Sequence, residues 1–510
     1  VRFEELSVDK VVRKFKDAGF LISPDAVRLI SEQSNVNTII DMILKYVENI
    51  SPKPVVITAS HVNSVLSSMG YEQKKIIHTR ELKTEAVDFE IKFTFTGYKI
   101  DRSMKLVDGY AKLLIDRYQK LKRILLERPD MRYAVSLGDI RRSKRIVESE
   151  NAQQRKIAVI GLVSSVIRKG KKIEITLEDV VSGERKIFNR IIVEVSSTSQ
   201  AFKKAIWVSE DEVIGIIGTV NNDKVEVDDI LLPGISLKPI KRPSDDIYIA
   251  LISDLHIGSS RFAENRFKAF LKAIQGYTDD PKLKNIIEKL RFIIIAGDLV
   301  DGFGIYKGQE KELLIEDVEE QYKMLSELLS EIPEDINIIL VPGEHDASGL
   351  FVPSPPIPRV FAKSLYAKRN VHMLGDPSFI RIAGVDILVS HGRGLDDAIE
   401  LYTLKGLTSD GVIDAMESLL IRRNLVIPIN GKTLLAPYPH DFNVITFMPD
   451  IVHMGHLHIA TAAIYKNILL INSGSWQEQS IKQKLRGLNP SVGTCYFVNL
   501  KNMNLTKAIF

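Results

Sequence analysis

Five apolar runs of strand length in the second half of the chain each end in a short polar cluster rich in Asp and His. That repetition limits the folds open to it. Ile249 to Ser253 precedes Asp254-Leu255-His256, and Phe292 to Ala296 precedes Gly297-Asp298-Leu299-Val300-Asp301. Ile338 to Val341 breaks at Pro342-Gly343 and exposes Glu344-His345-Asp346. Val385 to Val389 leads to Ser390-His391-Gly392, and Ile451 to His453 leads to Gly455-His456-Leu457-His458. Unbroken apolar runs are what strands buried on both faces require, and ligands gather beyond the carboxyl ends of such strands. Helical patterns fall between them at 261–275, at 311–330 (Leu313, Leu314, Val318, Tyr322, Leu325, Leu329) and at 411–423. Strands alternating with helices predict a layered α/β domain over 244–510.

The polar clusters have the composition of a metal site. In an extended segment residues i and i+2 point the same way, so Asp254 with His256, and His456 with His458, are each expected to reach one cation. Six of the ten histidines, His256, His345, His391, His453, His456 and His458, lie at or beside these strand ends. Imidazole and carboxylate without thiolate suit Mn, Fe or Zn, and ligand type alone does not choose among them. The one cysteine, Cys495, excludes thiolate clusters and an internal disulfide, which fits a reducing, cytoplasmic setting. Asp301 is expected to cap or turn its loop, Asp346 to hydrogen-bond the turn that presents His345, and His453 to be a satisfied core imidazole. Arg393 is open between phosphate contact and a surface role.

The chain's 510 residues exceed one core, so several domains are expected. Apolar spacing through Val8, Val11, Val12 and Phe15, and again through Ile39, Ile40, Ile43, Leu44 and Val47, predicts a helical module over 1–50, suited to docking. Residues 51–155 read as a basic linker. They hold 21 Lys or Arg against 13 Asp or Glu, including a basic run at 141–145, either a solvated segment or one that meets phosphate. Residues 52–103 suggest no compact structure. Within the linker, Val107, Tyr110, Leu114, Tyr118, Leu121 and Leu125 predict an amphipathic helix over 104–128.

From 156 the period changes to two. Strand-like runs at 157–167, 172–180, 186–195, 213–220 and 224–232, with a turn at 182–185 and an interruption near 200–204, predict an OB-type barrel over 156–235. Aromatic candidates for stacking on a nucleic acid are few, Phe188, Phe202 and Trp207, so subunit contact is the expected use of the barrel. The overall class is multidomain α+β. Whole-chain charge, +4, does not announce a nucleic-acid binder, and no segment is long and apolar enough to predict a membrane span.

In order the clusters read D-x-H, G-D-x-x-D, G-E-H-D, H-G and G-H-x-H, a series that resembles the calcineurin-like metallophosphoesterase superfamily over about 245–480. Further text narrows the likeness: Leu-Leu-Ile-Arg-Arg-Asn at 419–424, Leu-Ala-Pro at 435–437, Pro-Asp-Ile-Val-His-Met-Gly-His-Leu-His at 449–458, Gly-Ser-Trp-Gln at 474–477 and Asn-Pro at 489–490. These resemble the small-subunit family of the archaeal D-family DNA polymerases, whose domain order is the one predicted above.

The resemblance implies two divalent metal ions, with Asp254, His256 and His458 holding one, Asp298 bridging, and His391, His456 and Glu344 holding the other. It implies His345 beside the leaving oxygen, and metal-dependent 3′ to 5′ exonuclease activity for proofreading. The implied partners are a large catalytic subunit and DNA with a 3′ end, with a sliding clamp or primase as further candidates. The family's pattern has Asn where this chain has Glu344. Glu still offers oxygen to a metal but is longer by a methylene and adds a negative charge, so retained activity with altered rate or metal preference is expected. The alternatives are an inactive assembly subunit and a free-standing metallophosphodiesterase.

Overall fold

The computed structural model describes residues 8–22, 24–31, 36–49, 56–57, 59–68, 87–99, 103–140, 155–180, 188–221, 224–236, 241–480, 483–484 and 487–510. The basic run at 141–145 and the turn at 182–185 lie outside them. The chain divides into two compact units, Val1–Arg80 and Glu81–Phe510. Among the described residues no helix is long and apolar enough to cross a membrane.

The first unit contains helices Val8–Asp17, Pro24–Ser31, Val36–Glu48 and Ala59–Ser68, with a short parallel pair, β1 (Leu21–Ile22) and β2 (Val56–Ile57). Val11, Phe15, Ile39, Ile43 and Val47 are fully buried, as their spacing predicts. The core goes on past residue 50, because Val62 and Val65 of the fourth helix join it.

In the second unit, strand β3 (Phe89–Thr94) and helix Leu106–Leu126 precede a closed five-stranded barrel. Its strands are β4 (Arg155–Lys169), β5 (Lys172–Val180), β6 (Phe188–Ser196), β7 (Val213–Asn221) and β8 (Lys224–Leu231), in the order β4-β5-β6-β8-β7. The interruption after β6 holds a short helix, Phe202–Ala205.

Two six-stranded sheets form the rest. In the first, β9 (Tyr248–Ile252), β10 (Leu290–Ala296), β11 (Asn337–Val341) and β12 (Val371–Met373) are parallel. The antiparallel strands β18 (Thr494–Asn499) and β19 (Leu505–Ile509) complete it. In the second, β14 (Val385–Val389), β15 (Ile451–Met454) and β17 (Ile468–Asn472) are parallel, with β13 (Ser378–Ile382) and β16 (Thr461–Tyr465) antiparallel on either side.

Alternate residues of each strand serve different layers. Leu251, Ile294 and Ile339 meet Ile387, Ile451 and Ile471 between the sheets. Ile252, Ile293 and Leu340 face the opposite way and pack on Phe267, Phe270 and Leu325 of the helices Glu264–Ile274 and Val318–Leu329. Leu388, Val452 and Leu470 likewise receive Ala415, Met416 and Leu419 of helix Ser409–Arg422. Both faces of each sheet are thus covered, which is why the strands read as continuous apolar runs.

Three expectations are corrected. Residues 89–94, within the stretch predicted to lack compact structure, form β3, which pairs with the edge strand β13 and makes it the sixth strand of the second sheet. Phe89, Ile91 and Phe93 carry the alternation, but in too short a run to stand out. The helix expected at 311–330 starts only at Val318, because the Asp317 side chain accepts from Glu320 N and fixes the N-terminus there. Leu314 is left 77% exposed.

The helix at 106–126 buries Tyr118, Leu121 and Leu125 as predicted, but in its first half the buried positions are Gly109, Leu113 and Arg117 and not Val107, Tyr110 and Leu114. Val107 is 77% exposed, whereas Arg117 is fully buried. Arg117 donates to Asp441 Oδ2 (2.6 Å), to the carbonyls of Val426 (3.0 Å) and Ile427, and to that of Asp211 before β7 (3.1 Å). Tyr118 on the same helix donates to Asp179 of β5 (2.5 Å). The helix therefore fastens the barrel to the layered domain.

Candidate metal centre

The five polar clusters meet at one rim, beyond the carboxyl ends of β9, β10, β11, β14 and β15. Their convergence does not come from strand alternation. Residues 253–256 have left the strand, and Asp254, His256, Asp298, His456 and His458 all sit at positive φ (55°, 52°, 48°, 70° and 57°). For non-glycine residues this is strained backbone, and it gathers at the site. Alternate left-handed residues fold the chain over the strand ends, so Asp254 and His256 converge for a reason other than the predicted one, whereas His456 and His458 part: His458 joins Asp254 and His256, and His456 joins Glu344 and His391, against the expectation that the two share one cation. Gly297 and Gly343 are the spacers that allow the approach. A Cβ on Gly297 would overlap the His391 imidazole, and one on Gly343 would overlap the Asp298 carboxylate.

The donor atoms form two groups that share Asp298. On one side His458 Nε2 lies 3.3 Å from Asp254 Oδ1 and 3.2 Å from His256 Nε2. On the other, Glu344 spans His391 Nε2 (2.7 Å) and His456 Nδ1 (2.8 Å). Asp298 Oδ2 stands between the groups, 3.6 Å from His256 Nε2 and 3.4 Å from His391 Nε2. His345 donates from Nδ1 to the Asp301 carbonyl (2.8 Å), and its backbone N–H donates to Asp298 Oδ1 (3.0 Å). Its ring meets the His256 ring edge-on, with centroids 4.7 Å apart.

Outer groups fix the imidazoles. His391 Nδ1 donates to the Ala296 carbonyl at 2.8 Å, which directs Nε2 into the site, against Glu344 Oε2. His256 Nδ1 is held by Asp301 at 2.9 Å and His456 Nε2 by Asp396 at 3.0 Å. The Gln483 amide meets His458 Nδ1 at 2.7 Å. Such partners orient metal-binding imidazoles and raise their basicity. Asp301 is thus more than a loop cap. It is itself held by Gln309 and by Gln477. The 474–477 motif acts here too: the Ser475 hydroxyl (3.2 Å) and Trp476 N (2.8 Å) donate to the Asp254 carbonyl.

Asp346 accepts from Gly343 N (2.8 Å), Leu299 N (3.1 Å) and the Tyr322 hydroxyl (2.8 Å), so it fastens the turn presenting His345 to the Asp298 loop. His453 is fully buried, with its Nε2 3.0 Å from the Ser473 hydroxyl. Arg393 donates to the Leu350 carbonyl and lies 4.0 Å from Glu344, so it is drawn toward the site.

The charges favour a cation. Burial lowers the His256 imidazole, but Asp301, Asp298 and Asp254 outweigh it and raise it to about 9. Burial also opposes charge on His456, yet Glu344 and Asp396 raise it to about 10. Burial would raise the Glu344 carboxyl, but His456 and His391 hold it well below the usual carboxylate range. Positive charge on His256 and His456 is therefore strongly stabilised, and a bound metal would replace those protons. Glu344 Oε2, His391 Nε2 and His456 Nδ1 are buried and have no aligned hydrogen-bond partner among the described residues. They face one another as ion pairs at 2.7 and 2.8 Å, a donor set that fits a shared cation.

All seven donor residues fall within a match, over residues 249–461, to a family model that describes the B subunits of DNA polymerases alpha and epsilon. Across 501 residues the chain is 32% identical to a DNA polymerase II small subunit of Methanothermobacter thermautotrophicus, covering 98% of this chain and 99% of that one. The chain belongs to the archaeal DNA polymerase II small-subunit family. The Archaeoglobus fulgidus member is 31% identical over 493 residues, with 95% and 94% covered. The Pyrococcus horikoshii member is 33% identical over 435 residues, 83% of this chain and 67% of that longer one. Among solved structures, an archaeal phosphodiesterase aligns over 52% of this chain and 100% of its own at 14% identity and a TM-score of 0.25, too low a likeness to carry argument.

In this family member, sequence reasoning brought Asp254, His256, Asp298, Glu344, His345, His391, His456 and His458 to one site, and the structure places all eight there. It missed Asp396, Gln309, Gln477 and Gln483. Asp396 had a local signal, an acidic residue in the first turn of helix Leu395–Tyr402, close after His391. Gln477 lies in the Gly-Ser-Trp-Gln motif at 474–477, whereas Gln309 and Gln483 had no signal.

Proposed function

We propose that this chain is the 3′-end hydrolase of a D-family polymerase complex, a two-metal phosphodiesterase that removes terminal nucleotides while a large subunit carries synthesis. One observation supports the metal reading most: Asp298 Oδ2 lies 3.4 and 3.6 Å from an imidazole of each donor group, the position of a bridging ligand. Asp254, His256 and His458 would hold one cation, and His391, His456 and Glu344 the other. Bound Mn, Fe or Zn would supply Lewis acidity at the phosphoryl oxygens and lower the pKa of water. The remaining work is the protein's. Hydrolysis adds a water oxygen to phosphorus and breaks the bond to the 3′ oxygen of the retained strand. With its Nδ1 engaged by the Asp301 carbonyl, His345 has Nε2 left to deliver a proton to that departing oxygen. The products are a nucleoside 5′-monophosphate and a strand with a new 3′ hydroxyl.

We also read the barrel as OB type, an arrangement supported by its five-stranded order and by the helix between its third and fourth strands. Its loop at Ser209 to Glu212 meets Tyr402 and Arg422 of the layered domain, which suits a barrel used for assembly.

Glu344 favours a second reading. Its carboxylate already satisfies the charge of His391 and His456, so the pair could stand without metal as part of an inactive assembly subunit. Metal analysis separates the two. The wild-type chain is expected to retain two equivalents of Mn or Zn after gel filtration. Glu344→Asn is expected to keep both and to match or exceed wild-type hydrolysis with Mn, since it removes a charge facing the phosphate. A wild type that holds no metal beside a Glu344→Asn variant that holds two would support the scaffold instead.

A further inference from the structure

The loop at 302–308 adjoins the side of the site where the leaving group departs, and nothing in the hydrolysis above uses it. Its base is fixed to the metal centre. Gln321 accepts from Gly302 N (2.8 Å) and donates to Gly302 O (3.1 Å), and the preceding residue, Asp301, holds His256 and His345. Gln309 closes the far end, accepting from Ile305 N (2.9 Å) and donating to the Asp301 carbonyl (2.7 Å). Between these clamps the loop carries two aromatic rings. Tyr306 stands beside His345, with centroids 6.2 Å apart and planes 65° apart, and its hydroxyl is tied to Glu312 at 2.8 Å. Phe303 is 54% exposed only two residues from Asp301, although the cores of the same unit bury comparable rings completely.

We propose that this loop is the subsite for the nucleoside that keeps the leaving 3′ oxygen, with Phe303 stacking on its base. The inference rests on the hydrolase reading. If His345 protonates the departing oxygen, the sugar bearing that oxygen lies against His345, and the next group outward is the penultimate base. A flat apolar ring suits a nuclease that must accept all four bases, because every base offers a π-face whereas hydrogen-bond readout would select among them.

The test compares two short 3′-labelled single strands with Mn²⁺ and the full-length chain, one strand normal and one lacking the penultimate base. Wild type is expected to prefer the normal strand in kcat/KM by about tenfold, the scale of one stacked base. Phe303→Ala should lose that preference at an unchanged melting temperature, and Phe303→Trp should restore it. Full preference in Phe303→Ala, or none in wild type, overturns the subsite while leaving the hydrolase reading intact. Release from neither strand by wild type overturns both.

Discussion

Asp298→Asn is expected to abolish 3′-end hydrolysis while leaving the chain folded and able to assemble. The substitution keeps the shape of the side chain and removes the one charge shared by both donor groups. Loss of a single preorganised electrostatic group costs about 10²–10³-fold, and loss of a shared ligand should cost at least that. The change in stability should be small. Burial and Glu344 oppose the Asp298 charge, but His391 and His345 hold its carboxyl below the usual carboxylate range, and the substitution forfeits that attraction. It also relieves Asp346, whose carboxyl is pushed up to about 6 by burial and by the Asp298 charge. Release of label from single-stranded DNA measures the first effect, and gel filtration with the large subunit measures the second. Activity within about tenfold of wild type would show that Asp298 is no bridging ligand.

Arg117→Leu is the substitution expected to damage the fold most. The guanidinium is wholly buried, and its partners come from the barrel side (Asp211) and from the layered domain (Val426, Ile427, Asp441). Leucine would leave the Asp441 carboxylate in the interior without its cation and three carbonyls without a donor. Breaking a buried pair in this way costs about 3–5 kcal/mol. Urea denaturation should show a loss of that size. A loss under about 1 kcal/mol, the value of an exposed pair, would mean that the helix is not the fastening between the two parts.

The sequence carried the donor residues well because two signals coincide at each of them. A strand buried on both faces must be apolar throughout, so its end is marked wherever Asp or His first appears. His and Asp are also the residues whose chemistry is least ambiguous. What sequence could not carry was the means of convergence. Alternation placed Asp254 beside His256 and His456 beside His458, but the chain turns through left-handed residues outside any strand, which bring the first pair together and send His456 and His458 to different donor groups. The supporting residues were hidden for another reason. Gln477 reaches Asp301 from 176 positions away, and nothing local to a glutamine announces such a contact.

Arg117 shows the limit of periodicity on a helix. Charged residues on an amphipathic pattern are assigned to solvent, and only the tertiary fold reveals that this one is enclosed by carbonyls. β3 was illegible because an edge strand of six residues borrows its register from its neighbour. Asp317, by contrast, was readable as a cap, and weighting it above the apolar spacing at Leu313 and Leu314 would have placed the helix start correctly.

The central claim is that eight residues from five strand ends form a working hydrolase despite Glu344. Its most direct test is to incubate the metal-loaded wild-type chain, alone and with the large subunit, with 3′-labelled single-stranded DNA and to identify the product. Stepwise release of nucleoside 5′-monophosphate, lost on chelation and restored by Mn²⁺, is expected. No release under either condition, from a chain shown to hold two metal equivalents, would contradict it.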